Sequence, residues 1–370
     1  GLDLVEKMIR VAAGEQLGLT QDDITPNGWA IEARVYAEDP ARGFLPSIGQ
    51  LTRYREPVGE GVRVDAGVAE GGEISMYYDP MIAKLVTHAP SRDEAIDRLH
   101  LALDHYEIDG IASNRQFLSA VLENSAFKAG HLTTGFIAAE FDGDFVAEAP
   151  ADAAATDLVA LGTAIAALQI EERNPGSPDR TFIVIDQTGR QYDVEVEAVT
   201  NREAMVVVDG RHHALSGRLR GPVGLFDGTI NEEPVAVQVR GTGYDIALTR
   251  GSHRLTAKIL PARFGPMLSL MPPAAEGAGA DEIVAPMPGQ ITRILVEVGD
   301  EVQAGQDVAI IEAMKMEHTI SAPSDGIVTA LSFAEGDLVD EVEGRAAVVE
   351  AVEAVRRAVV VQRAAAVQRA

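Results

Sequence analysis

The chain has 370 residues, 46% of them hydrophobic and 24% charged, which is enough apolar material for several cores and too long for one, so two or three compact domains are expected. A formal charge of −26, from 57 acidic against 31 basic residues, repels phosphate backbones and sets nucleic-acid binding aside, while the absence of cysteine removes disulfides, thiolate metal sites and cysteine catalysis. No apolar run approaches the ~18–20 residues of a membrane span and the first residues are unlike a signal peptide, which predicts no membrane partner and a cytoplasmic protein, or a mitochondrial matrix one if eukaryotic.

Residues 2–13 carry Leu4, Val5, Met8, Ile9 and Ala12 three or four apart, with Gly14 at the stop position, so one helix is predicted. A start inside a helical pattern also predicts that the natural protein is longer at its N-terminus. β-Branched or alternating stretches follow at 30–36, 51–54, 62–68 and 81–87, expected as strands of one sheet. Ser91 with Glu94 forms a capping-box pattern, and Ile96, Leu99, Leu103 and Tyr106 then share one helical face; another helix is predicted over 114–124. The first 140 residues read as a mixed α+β unit.

Residues 145–156 are Ala-rich with one Pro and read as linker, whereas 158–170 is apolar nearly all the way round and must be surrounded. Six strand-like runs follow, at 181–186, 192–198, 204–208, 235–240, 244–248 and 255–260, with Asp209-Gly210 and Asp227-Gly228 read as turns. A β barrel around a central helix satisfies both halves; a β sandwich with the helix on one side fits the periodicity equally. His212, His213 and His253 raise the idea of a metal, but adjacent strand residues point to opposite faces and no acidic partner has ligand spacing, so no metal site is expected. Pro272–Ala280 has the composition of an exposed tether.

The last region repeats itself. Ala285–Val302 aligns without gaps on Ala322–Val339 at an offset of 37, with seven of eighteen positions identical, among them Gly289/Gly326 and the Gly299-Asp300/Gly336-Asp337 pairs. Two copies of one short-strand unit predict a small pseudo-symmetric β sandwich. Between the copies, two β-prone runs flank Ala313-Met314-Lys315-Met316, and a hairpin tip there would put Lys315 in solvent. A lone exposed lysine is ordinarily a solvated charge. Lys315, however, is the only lysine after Lys258, and methionines flank it on both sides, which a purely solvated turn has little reason to expose.

EAMKMEH within the VGDEV/EGDLV repeat resembles the biotinyl domain of biotin-dependent carboxylases, whose AMKM lysine is amidated by biotin. The resemblance implies a biotinyl-lysine at Lys315, with Met314 and Met316 as flanking recognition residues. Lipoyl domains, the sister family, lack the paired methionines. DLVEKMIRVAAGE, FLPSIGQLTRYREP, GVRVDAGV and YYDPMIAKLVTHAPSRDEAIDRLHLAL together look like the C-terminal subdomain of biotin carboxylase. In that family the GVR arginine, here Arg63, lies beside the bicarbonate and biotin site; without the resemblance it reads as a surface ion-pair residue. Residues 155–270 are similar to the helix-in-barrel domain that propionyl-CoA carboxylase α subunits place between carboxylase and carrier.

The implied organisation is a biotin carboxylase C-terminal subdomain (1–140), a linker (141–154), a barrel domain mediating between carboxylase and carboxyltransferase (155–271), a flexible linker (272–280), a biotinyl domain (281–350) and a low-complexity tail (351–370). The ATP-grasp part of that family, which uses ATP and Mg or Mn, is not in this sequence, so the chain alone is not expected to carboxylate biotin. Implied partners are a carboxyltransferase β subunit, biotin protein ligase and other α subunits. The alternatives are a lipoyl- or transcarboxylase-type carrier, a purely structural adaptor with unmodified Lys315, or a methylcrotonyl-CoA or geranyl-CoA carboxylase α subunit.

Overall fold

The fold is that of a computed structural model, which describes residues 2–268 and 283–339 apart from 76, 142–144, 177, 178, 220–223, 242, 243, 284, 286, 304, 314, 315, 323–325 and 332. The expected tether, the 351–370 tail and the end of the expected biotinyl domain lie outside the described residues. Three separate hydrophobic clusters form the cores.

Helix α1 (Leu4–Ala12) is capped by Asp3, whose side chain accepts from the Glu6 N–H, and it buries none of its residues. The first core follows. Strands β1 (Trp29–Tyr36), β6 (Val62–Ala66) and β8 (Met81–Ala89) form an antiparallel sheet in the order β1-β8-β6. Three of the four stretches expected in one sheet thus form it, while the fourth, at 51–54, does not join them. Short pieces pair off instead, β2 (Glu38–Asp39) with β3 (Leu45–Pro46), β4 (Gly49–Gln50) with β7 (Glu73–Ile74), and β5 (Arg53–Arg55) with β9 (Glu107–Asp109). Runs of two or three residues are too short for alternation to assign them to one sheet.

Helix α2 (Arg92–His105) starts at Ser91 as the capping box predicts, with Ser91 Oγ accepting from the Glu94 N–H at 3.2 Å. Its face of Ile96, Leu99 and Leu103, with Tyr106 just beyond, is buried against the β1-β8-β6 sheet. Helices α3 (Arg115–Glu123), α4 (Ser125–Lys128) and α5 (Phe136–Glu140) complete the domain. Phe117 sits edge-on to Phe44, Phe141 and Phe145 at 4.8–5.6 Å, and Phe136 joins Phe141 and Phe127. The stretch read as linker is therefore pinned: Phe145 is stacked into this cluster and its N–H donates to Pro40 O at 2.8 Å.

Helix α6 (Asp152–Arg173) runs through a closed eight-stranded barrel, which decides between barrel and sandwich. The strands are β10 (Thr181–Asp186), β11 (Gln191–Val199), β12 (Glu203–Val208), β13 (Arg211–Leu219), β14 (Gly224–Ile230), β15 (Glu233–Arg240), β16 (Asp245–Arg250) and β17 (His253–Pro261). Each pairs antiparallel with the next, and β17 closes onto β10. The helix is long and apolar enough to cross a membrane by length and composition, contrary to the sequence reading, yet 67% of that window is buried, with Leu158, Val159, Leu161 and Ile165 packed in the barrel core. An apolar cylinder needs such a sleeve in place of lipid.

Two strands went unread, and one turn was misplaced. Asp227-Gly228 lies inside β14, where Gly228 faces Gly217 across the ladder. A Cβ at Gly228 would stand 2.2 Å from Ser216 O, and one at Gly217 would stand 2.8 Å from the Phe226 ring. The glycines serve close strand approach instead of a positive φ, so the usual turn signal misleads here.

The third core is pseudo-symmetric in its hydrogen bonds. Gly299 N–H donates to Val328 O and Gly336 N–H to Ile291 O, both at 2.7 Å, each bond being the other's image at the offset of 37. Asp300 and Asp337 repeat the pattern, each accepting on its side chain from the backbone N–H three residues earlier, at 2.8 and 2.9 Å. Strands β18 (Gly289–Ile294), β19 (Glu301–Val302), β20 (Asp307–Ala313), β21 (Met316–Ser321), β22 (Gly326–Ile327) and β23 (Leu338–Val339) form a four-stranded sheet in the order β21-β20-β18-β23 and a second sheet of β19 with β22. Leu45, from β3 of the first domain, packs against this third core.

Candidate functional site: a carrier hairpin and an edge arginine

The hairpin of β20 and β21 is held from below. Val308, Ile311 and Ala313 of β20 are buried in the third core. Strand β18 passes so close that a Cβ at Gly289 would stand 2.7 Å from Ile311 Cγ1 and 2.8 Å from Glu312 O. The register pairs Ile311 with His318, Glu312 with Glu317, and Ala313 with Met316, and two residues, Met314 and Lys315, stand between the strands in the sequence. Both lie outside the described residues. Met316 opens β21 and is 39% exposed, a large apolar side chain left in solvent beside the turn.

Glu312 and Glu317 oppose each other on the exposed face, a like-charge pair that costs local stability and concentrates negative field near the turn. His318 is half-buried and burial lowers its pKa, so it adds no compensating positive charge at neutral pH. A hairpin with a buried base and an exposed methionine at its end suits a covalent prosthetic group that must reach outward.

Arg63 stands on β6, an edge strand of the first core, with its side chain 68% exposed and Nη2 3.1 Å from Asp65 Oδ2. The ion-pair reading of Arg63 thus describes its present surroundings. The first and third cores carry Arg63 and the hairpin separately. Of the three histidines weighed as ligands, His213 is buried with Nδ1 2.8 Å from Asp157 Oδ1 on α6, while its neighbour His212 is exposed, 3.6 Å from Glu197. Among the described residues no group of three His, Asp or Glu side chains is placed to hold a metal ion.

Two features escaped sequence reading. Glu38 on β2 is half-buried, and burial together with the nearby charge of Asp79 pushes its carboxyl up to about 7. At the junction of the first domain with the barrel, Glu123 bonds both His100 and Ser252. Neither pairing has a sequence signal, since the partners are far apart in the chain and their residue types are common on surfaces.

Comparison with known proteins gives three family matches in chain order: the biotin carboxylase C-terminal domain over residues 32–139, the propionyl-coenzyme A carboxylase BT domain over 153–273, and the biotin-requiring enzyme domain over 281–343. The chain is 40% identical over 91% of its length to the propionyl-CoA carboxylase alpha chain of Ruegeria pomeroyi, covering 54% of that protein. It is 34% identical over 92% of its length to the mitochondrial propionyl-CoA carboxylase alpha chain of Homo sapiens, covering 49%. It is also 31% identical over 94% of its length to the methylcrotonoyl-CoA carboxylase subunit alpha of Dictyostelium discoideum, covering 52%. The chain spans about half the length of these relatives. The match to the biotin-requiring enzyme domain indicates covalent biotin as the cofactor, and the chain is similar, in the same order of three domains, to about half of the α chains of biotin-dependent acyl-CoA carboxylases.

Proposed function

We propose that this chain is the carrier and assembly part of a biotin-dependent acyl-CoA carboxylase acting on propionyl-CoA, and that Lys315 bears the biotin. The observation that carries the reading is the hairpin register: Ala313 pairs with Met316, so that only Met314 and Lys315 stand between the two strands in the sequence of a pseudo-symmetric module. Bound biotin supplies a ureido nitrogen able to carry activated carbon dioxide, which no side chain can do between distant sites. Loading is ATP-dependent and takes place at the biotin carboxylase part, where Arg63 is assigned a place beside bicarbonate and biotin. Delivery is to the acyl-CoA on a carboxyltransferase β subunit, with the barrel as the docking element. Met314 and Met316 present the lysine to biotin protein ligase. Amidation removes the ammonium and leaves a module already at −11 over residues 281–345 still more acidic, so positively lined docking sites are its natural partners.

The propionyl-CoA assignment rests on the BT-domain match and on the names of the most similar relatives. Methylcrotonyl-CoA is the second reading, supported by the relative from Dictyostelium. The test is Lys315→Arg co-expressed with biotin ligase. The streptavidin signal should fall at least a hundredfold while the thermal midpoint of the chain stays unchanged, and a persisting signal would show that the lysine is misassigned.

A further inference from the structure

The barrel meets the first domain through buried polar groups. Helix α2 lies along β15, and the C-terminal carbonyls that a helix leaves without partners are filled from the barrel wall. Gln238, 3% exposed, donates from Nε2 to Tyr106 O at 2.6 Å and to Asp104 O at 3.4 Å. Arg240 of the same strand pairs with Asp109 on β9.

The turn between β16 and β17 enters from the other side. Gly251 N–H donates to Asp104 Oδ1 at 2.8 Å, Ser252 N–H to Glu123 Oε1 at 3.2 Å, and Ser252 Oγ to Glu123 Oε2 at 2.5 Å. His100 spans the two carboxylates, with Nε2 2.7 Å from Glu123 Oε1 and Nδ1 3.9 Å from Asp104 Oδ2. Gly251 has φ +58°, and a Cβ there would stand 2.4 Å from Glu123 Oε1 and 3.1 Å from His100 Nε2, so a larger residue strains the turn and must displace the side chains that clamp it.

We infer that the first domain and the barrel move as one body, with Asp104, Glu123 and His100 as positioning residues that clamp the β16–β17 turn and so fix the barrel's orientation to the carboxylase end. Opening the joint would strip buried partners from Asp104, Gln238 and Ser252, none more than 7% exposed, and a buried polar group without a partner is expensive. An ordinary mobile interdomain contact keeps its polar groups wet and loses little when it parts. Glu123 in the clamp is charged across the physiological range: burial opposes its ionisation, but the hydrogen bonds from His100 and Ser252 outweigh it and hold the carboxyl at about 2, whereas burial pushes the Asp104 carboxyl up. Joined to the proposed carrier role, on which this one consequence rests, a rigid joint assigns the biotin's travel to the chain beyond the barrel.

The absence of cysteine makes the test direct. Glu60→Cys and Glu195→Cys place one spin label on an exposed site of each domain of the 370-residue chain. Pulsed electron–electron distance measurement should give one narrow distribution. Gly251→Val and Glu123→Gln should each at least double its width while circular dichroism stays that of the parent. A broad or multi-peaked distribution in the doubly labelled parent overturns the inference, as does an unchanged width in the folded variants. If Gly251→Val does not fold, Glu123→Gln and Gln238→Ala decide by the same criterion. The readout needs neither biotin nor activity, so a mobile joint would leave the carrier reading standing, and a misassigned Lys315 would leave the joint untouched.

Discussion

Glu38 illustrates what a single half-buried carboxylate does to stability. Its pKa in the folded chain is raised to about 7, from an ordinary 4.5, first by burial and then by the charge of Asp79. An acid whose folded pKa lies above its unfolded value favours the fold while protonated. That contribution is complete below about pH 4.5 and is lost as pH rises to about 7, where the folded state must carry an unpaired charge. Glu38→Gln removes the titration. It should leave the thermal midpoint unchanged near pH 4.5 and raise stability at pH 8 by on the order of 1 kcal/mol, a figure discounted for solvent screening of a half-exposed group. Thermal melts at the two pH values check it, and equal shifts at both would mean that Asp79 and burial do not act on Glu38 as described. The carboxyl pair was illegible beforehand because Glu38 and Asp79 meet only through the fold around β8.

Among the elements, α6 was the most legible, since a run apolar on every side has one soluble solution, complete enclosure. Its fit depends on one small residue. Gly162 faces the barrel wall, and a Cβ there would stand 3.1 Å from Leu248 Cδ1 and 3.2 Å from Ile259 Cδ1. Alanine would gain about 1 kcal/mol of helix propensity against contacts with the flexible ends of two side chains, so the two effects nearly offset. Valine adds two branches in the same space, and Gly162→Val should cost about 1–3 kcal/mol by overpacking, read as a lower denaturant midpoint at unchanged slope. A neutral result would mean that the barrel wall yields more readily than a close-packed interior does. Strands β13 and β14 were missed because glycines and charged residues interrupt their alternation, and only the facing Gly217–Gly228 pair explains why those glycines belong inside a sheet.

For the whole molecule, removing the barrel should separate its proposed docking role from the support it gives the first domain. Deleting residues 155–270 leaves the carrier hairpin intact, so biotinylation at Lys315 should persist in a streptavidin blot. Co-purification with a carboxyltransferase subunit should be lost, and retained binding would move the docking role to the N-terminal region. The first domain should suffer as well, because Asp104 O and Tyr106 O lose Gln238 while Glu123 loses Ser252. With the Arg240–Asp109 pair and the Gly251 bond to Asp104 also gone, six hydrogen bonds are lost, partly replaced by water, which predicts a drop of several degrees in its thermal midpoint.

What the sequence determined by itself was whatever is written in local order: the capped helix at Ser91, the enclosed helix α6, and the repeat at an offset of 37 whose images became paired hydrogen bonds in space. Periodicity, caps and repeats are properties of neighbours along a chain, so they can be read there. Tertiary structure alone decided barrel over sandwich, because closure depends on β17 meeting β10 some 70 residues away in sequence. It also decided the phenylalanine cluster that pins Phe145, the Glu38–Asp79 pair, and the clamp joining Glu123 to Ser252, which lie 129 residues apart. Such contacts bind residues of unremarkable type at separations that carry no pattern, and only a folded chain, by bringing them into one low-dielectric place, gives them a partner and a purpose.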